Sequence, residues 1–245
     1  MEFSSSQLDK QKWAEFHTHA FAAQQMQVKK LMQDGLIKGI DELNSLINSN
    51  AERVKQLQTQ LTDDLPADRS QVLRDGIAKY ENLTALTNKV CEIYLILLDV
   101  NTYGTFCLLA QDEWDWRAFA RHIYTIVYEH KTTVNKQIND IMRILQTGVD
   151  EHYDLSNLLK AKKEYSQYIN ETSGYAKQIR VNVDAHFDGD FAERLEMIKG
   201  LSYSKVLELF YTYSSKMQAF LHELKPALEN FRITIDTVYS RLRIS

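Results

Sequence analysis

The residues best suited to chemistry in this sequence are an arginine and a histidine six positions apart, Arg180 and His186. In a straight helix, such positions lie about 120° apart around the axis and roughly 9 Å apart along it. An arginine side chain covers part of that distance, so both groups can converge on one ligand. A neutral imidazole transfers protons near pH 7, and a guanidinium holds a phosphate through two hydrogen bonds. The pair therefore fits metal-free RNA cleavage.

The same two residues also fit a structural role. Cationic side chains are favourable near the C-terminus of a helix, where they interact with the helix dipole and with unpaired carbonyl groups. The spacing of Arg180 and His186 alone does not separate this interpretation from the catalytic one.

The segment around the pair resembles the R-x4-6-H motif of the HEPN superfamily. Here it consists of Arg180, five intervening residues that end in Ala185, then His186 and, two positions later, Asp188. HEPN proteins are small α-helical proteins of toxin–antitoxin, abortive-infection and other antiviral systems, and the Ala-His variant with a nearby acid is similar to the abortive-infection branch. The resemblance covers roughly residues 112–230, where a long helix precedes the motif and a Phe- and Leu-rich helix follows.

The resemblance implies a metal-independent endoribonuclease without a cofactor. Arg180 would bind the scissile phosphate and His186 would transfer a proton, with Asn182, Asp184 and Asp188 of the same segment in support. HEPN domains typically form homodimers in which two such motifs make a composite cleft. The expected partners are therefore a second copy of the chain, RNA, and an antitoxin or defence-system protein.

One position departs from the family pattern. The residue after the arginine is usually polar, whereas here it is Val181, and Asn182 comes one position later. Many relatives are also non-catalytic. The alternative is a helical interaction or assembly protein that keeps the fold without the chemistry, and a purely structural helical bundle is a third interpretation.

The composition favours long helices and excludes some functions. Only 8 glycines and 2 prolines occur in 245 residues, which is too few for the many turns of an all-β protein. The net charge of −4 argues against a large non-specific nucleic-acid surface. The histidines lack the spacing that a shared metal ion needs, and no nucleotide-binding or hydrolase motif is present. We therefore expect an all-α bundle of long helices with no metal site.

The elements expected to position the pair fall into two regions. Residues 1–110 form an extended helical N-terminal region, suited to a coiled coil or partner binding, and residues 111–245 form the HEPN-like domain. The first helix spans about residues 7–62, and a turn at Pro66 precedes a second helix with Asp68 as its N-cap. Weak points or breaks are expected at Gly35, Gly39, Asn101 to Gly104 and Gly174, and a kink or stop near Pro226.

The second region continues the helical pattern. We expect Asp112 to cap a helix of residues 113–146, a further helix to run from about residue 153 towards His186, and a short one to end at Gly200. Ser202 is expected to cap the next helix, and the C-terminal tail is expected to be helical.

Residues 113–130 combine aromatic and charged side chains densely. One interpretation is a surface where cations and rings meet RNA bases. The other is a helix with a wide buried stripe and an ion pair between Glu113 and Arg117.

The cellular location is expected to be the cytoplasm. The N-terminus lacks the features of a secretory signal, so Cys91 and Cys107 are expected to be reduced. Residues 93–110 are apolar, but Asp99, Asn101 and Gly104 interrupt them, which favours a buried core helix over a membrane span.

Overall fold

A computed structural model describes residues 19–110, 112–181 and 191–240. These residues contain six α-helices and no strand, so the predicted all-α bundle of long helices is confirmed. The helices are α1 (His19–Gln60), α2 (Ala67–Leu109), α3 (Glu113–Gly148), α4 (Ser156–Ile179), α5 (Phe191–Lys199) and α6 (Tyr203–Ser240).

The helices build two compact units. Unit 1 takes its described residues from Met1–Leu36, Leu95–Thr133 and Lys163–Gln218, and unit 2 takes them from Ile37–Tyr94, Val134–Lys162 and Ala219–Ser245. Every helix except α5 contributes residues to both units. The division expected from the sequence, into residues 1–110 and 111–245, stays a prediction.

In unit 1, α2 and α6 pack closely along antiparallel paths. Gly104 of α2 lies directly against the ring of Phe210 in α6. Asn101, one turn before Gly104, accepts a hydrogen bond of 3.4 Å from Ser214, which is one turn after Phe210. Asn101 also donates to the carbonyl of Leu97 at 2.7 Å, so its buried amide is satisfied. These contacts explain why small and polar residues stand within an otherwise apolar helix.

Unit 2 is held by apolar packing and by polar contacts at its edges. Gly39 of α1 approaches the ring of Tyr94 in α2, whereas Lys89 forms an ion pair of 3.3 Å with Asp140 of α3. Tyr80 of α2 donates a hydrogen bond of 2.5 Å to a carboxylate of α6. These contacts join helices that are far apart in the sequence, so the packing of unit 2 depends on α1, α2, α3 and α6 together.

Side-chain caps define several helix starts. The backbone N–H groups of Trp114 and Asp115 both donate to the Asp112 carboxylate at 2.8 Å, and that of Lys205 donates to the Ser202 hydroxyl at 3.4 Å. Asp112 and Ser202 are therefore confirmed as the predicted N-caps of α3 and α6. Asp154 caps α4, where hydrogen bonds from the backbone and hydroxyl of Ser156 lower the pKa of its carboxyl group.

Several predicted interruptions are wrong. Helix α1 continues through Gly35 and Gly39, α2 through Asn101 to Gly104, and α4 through Gly174. Helix α6 does not stop at Pro226, because both Pro226 and His222 are exposed, and water can satisfy the His222 carbonyl that loses its helical donor. Asp68 lies inside the first turn of α2 and is therefore not its N-cap.

The apolar segment at residues 93–110 belongs to the core. Ile93, Leu97 and Val100 are fully buried in α2, as the sequence suggests. Cys91 and Cys107 are free cysteines on the same helix, and their separation of 16 residues, about 24 Å along the axis, prevents a disulfide between them. Within the described residues, none of the helices has both the length and the apolar character that crossing a bilayer requires.

Candidate functional site

Helix α4 places Arg180 at its C-terminal end. The helix proper ends at Ile179, which is buried, and Arg180 and Val181 follow in a turn of π-helical geometry. The expected position of the arginine near the end of a long helix is therefore confirmed. The other predicted site residues, Asn182, Asp184, His186 and Asp188, lie outside the described residues. Their roles, and that of Arg180, stay predictions.

The guanidinium of Arg180 is held by a carboxylate from α3. Its Nε and Nη2 atoms donate to the same oxygen, Oε1 of Glu129, at 3.2 and 3.0 Å. The Arg180 side chain is 34% exposed and that of Glu129 is 47% exposed. The ion pair therefore lies at the protein surface, where a ligand can reach both groups.

Contacts between α3 and α4 fix this pair in place. Lys131 donates a hydrogen bond of 2.8 Å to the hydroxyl of Ser173, and the rings of Tyr124 and Tyr175 meet edge to face at 5.3 Å. Tyr124 is almost fully buried, and burial raises the pKa of its hydroxyl. These two contacts hold α3 against α4 close to Glu129 and Arg180.

Two further cations lie near the end of α4. Lys177 is exposed one turn before Arg180, and Lys205 of α6 lies 5.4 Å from the centre of the Tyr175 ring. Lys177 and Lys205 add positive charge to a part of unit 1 that also contains the acidic Glu129.

The aromatic and charged cluster at residues 113–130 is mainly structural. Arg117 is buried, forms the predicted ion pair with Glu113 at 3.0 Å, and lies 4.9 Å from the centre of the Trp116 ring. Its Nη2 also donates to the carbonyl of Lys199 at 2.9 Å, the last residue of α5. Arg117 thus satisfies one of the carbonyl groups that a helix C-terminus leaves without a partner.

Part of the same cluster stays at the surface. Trp114 is 52% exposed, and the exposed His122 stacks on Tyr103 with their ring centres 4.9 Å apart. Phe106 and Phe119 lie beside them, with ring centres 5.2 Å apart. This surface group of rings lies on the α2–α3 side of unit 1.

Unit 2 contains a cleft of about 290 Å³. Its lining combines polar and apolar side chains of α1, α2 and α6: Arg53, Gln56, Leu57, Gln60, Tyr80, Ile233, Asp236, Thr237 and Tyr239. Burial, and after it the hydrogen bond to Asp236, raises the pKa of Tyr80. The hydroxyl donates its hydrogen bond to Asp236, the one carboxylate among the residues that line the cleft.

A metal site is not formed by the described residues, since no group of three or more His, Cys, Asp or Glu side chains converges there. Glu129 is the residue near the predicted site that the sequence did not reveal. Comparison of the chain with models of protein families, with curated proteins and with solved structures found no match.

Proposed function

We propose that the protein is a metal-independent endoribonuclease that acts at Arg180 and His186 as a dimer in the cytoplasm, in a defence or toxin–antitoxin setting. The observation that supports this most directly is the surface position of the Arg180 guanidinium at the end of α4. It is accessible, it is bound to a group that an anion can replace, and it is followed six residues later by His186.

The proposed reaction needs only these two side chains. The RNA 2′-hydroxyl attacks the adjacent phosphorus, the bond to the 5′-oxygen breaks, and a 2′,3′-cyclic phosphate and a 5′-hydroxyl result. His186 transfers a proton, either from the attacking hydroxyl or to the leaving oxygen, and its counterpart in the second chain supplies the complementary step. Arg180 binds the phosphate and stabilises the additional negative charge of the transition state.

The test is an RNase assay in the presence of EDTA, with single-stranded and structured RNA as substrates. The wild-type chain should cleave RNA, and His186→Ala should reduce the rate by about 10²- to 10⁴-fold, which is typical of a lost general acid or base. His152→Ala is the matched control, because this histidine is 86% exposed and belongs to unit 2. Equal rates for the wild type and His186→Ala would refute the proposal.

A helical interaction protein is the second candidate, and the exposed rings of unit 1 favour it. Phe106 is 37% exposed and lies next to Tyr103, which stacks on His122, and Trp114 nearer the start of α3 is 52% exposed. A partner helix could bury them. Under this alternative Trp114→Ala would lower the mass of the assembly measured by light scattering. None of the variants would change RNA cleavage.

A further inference from the structure

We propose that Glu129 occupies the binding edge of Arg180 that an RNA phosphate takes, so that substrate binding must displace this carboxylate. The inference rests on the proposed function and adds a residue to it. Glu129 would be a positioning residue, which holds the guanidinium in the absence of RNA and competes with RNA for it.

The hydrogen bonds identify the edge that is occupied. A guanidinium binds a phosphate through two parallel N–H donors, and its Nε and Nη2 atoms form one such pair. Both of these atoms donate to Oε1 of Glu129. A phosphate that binds this edge of Arg180 therefore has to take over both hydrogen bonds from the carboxylate.

The exposure of the pair makes this exchange easy. Arg180 and Glu129 are both partly exposed, at 34% and 47%, and solvent screens their attraction. Ion pairs of this kind change an equilibrium constant by at most about fivefold, which corresponds to roughly 1 kcal/mol. The ion pair with Glu129 is thus strong enough to orient the Arg180 guanidinium and weak enough that a phosphate can displace the carboxylate.

The packing of α3 against α4 keeps the competitor in place. The Lys131–Ser173 hydrogen bond and the Tyr124–Tyr175 contact lie within two turns of Glu129 on α3. Because Glu129 cannot move away with a loop, a displaced carboxylate stays close to the bound phosphate. Its negative charge then weakens RNA binding further and favours release of the charged product.

The experiment measures binding separately from cleavage. Fluorescence anisotropy with a 2′-O-methyl oligonucleotide, which lacks the attacking hydroxyl, gives an RNA affinity for each variant at low salt. Glu129→Gln removes the charge at nearly constant size, and it should bind this RNA up to about fivefold more tightly than the wild type. Glu129→Ala should also bind this RNA more tightly. Agreement between the two variants would show that the gain comes from loss of the carboxylate and not from the glutamine amide.

The matched control is Glu171→Gln, an equal change of charge at an exposed site of α4 that accepts a hydrogen bond from Gln167. It should bind RNA with nearly wild-type affinity. In an Arg180→Ala background, Glu129→Gln should give no gain in affinity, because the two substitutions act on one interaction.

The outcomes distinguish the two proposals. If the wild type cleaves RNA but Glu129→Gln binds it no more tightly, or if Glu171→Gln gives the same gain, the role of Glu129 is refuted and the nuclease stands. If the wild type neither binds nor cleaves RNA, both proposals fail.

Discussion

Gly104→Ala tests the packing of α2 against α6. Gly104 is buried, and a β-carbon built on it would overlap three ring atoms of Phe210. Phe210 is itself only 3% exposed, so its ring cannot turn into solvent to make space. Overpacking in a core costs about 1–3 kcal/mol, whereas alanine stabilises a helix interior by about 1 kcal/mol relative to glycine. We expect a net loss of about 1 kcal/mol in the free energy of unfolding, since overpacking is the larger effect.

Gly174→Ala is the matched control. It is the same substitution in the interior of another long helix, but Gly174 is exposed and an added β-carbon has nothing within 4 Å. Here the helix preference acts alone, and stability should increase by about 0.5–1 kcal/mol. The two variants should thus change stability in opposite directions.

Urea denaturation followed by far-UV circular dichroism measures both effects. The midpoint should fall for Gly104→Ala and rise for Gly174→Ala, with the slope unchanged. In a Phe210→Leu background, the loss caused by Gly104→Ala should shrink, because the alanine no longer meets an aromatic ring. A midpoint for Gly104→Ala at or above that of the wild type would show that the close contact of α2 and α6 does not limit residue size.

Two further predictions concern stability. Asp112→Ala removes the side chain that accepts hydrogen bonds from Trp114 and Asp115 at the start of α3, and it should lower the free energy of unfolding by about 1 kcal/mol; an unchanged urea midpoint would contradict the cap. Burial raises the pKa of Tyr213 to about 12 and also raises that of Tyr165. Because the fold favours the neutral hydroxyls, their contribution is complete below the unfolded pKa of about 10 and is lost as the pH rises above it. The urea midpoint should therefore fall between pH 10 and 12, and a constant midpoint over that range would refute this assignment.

The helices and two of their caps were predictable because they depend on local sequence. Asp112 and Ser202 stand directly before amphipathic runs, and the structure uses both as N-caps. The predicted interruptions are wrong because a glycine within a helical pattern has two explanations: the helix breaks there, or a neighbouring helix approaches closely. The pattern around Gly104 indicates a break, whereas in the structure this glycine allows a close approach to Phe210, a residue 106 positions away in the sequence. Such long-range contacts cannot be inferred from helical periodicity.

The candidate site shows the same limit. The position of Arg180 at a helix end follows from the pattern of α4, whereas its ion pair with Glu129 spans 51 positions. A signal existed in the short connection between α3 and α4, residues 149–155, because helices joined by a short connection usually pack as antiparallel neighbours. With that pairing, residues near 129 face residues within about two turns of 180. The sequence could have suggested the region of α3 but not the particular side chain.

The path of the chain through the two units restricts how the protein can be dissected. Since five helices contribute to both units, neither unit corresponds to a continuous fragment. A truncation that starts at residue 111 would remove Asn101 and Gly104 and so expose the apolar surface around Phe210. A fragment that ends at residue 110 would in turn deprive Tyr80 of Asp236. Chimeras made by exchanging one half with another protein would therefore have to rebuild the core of both units.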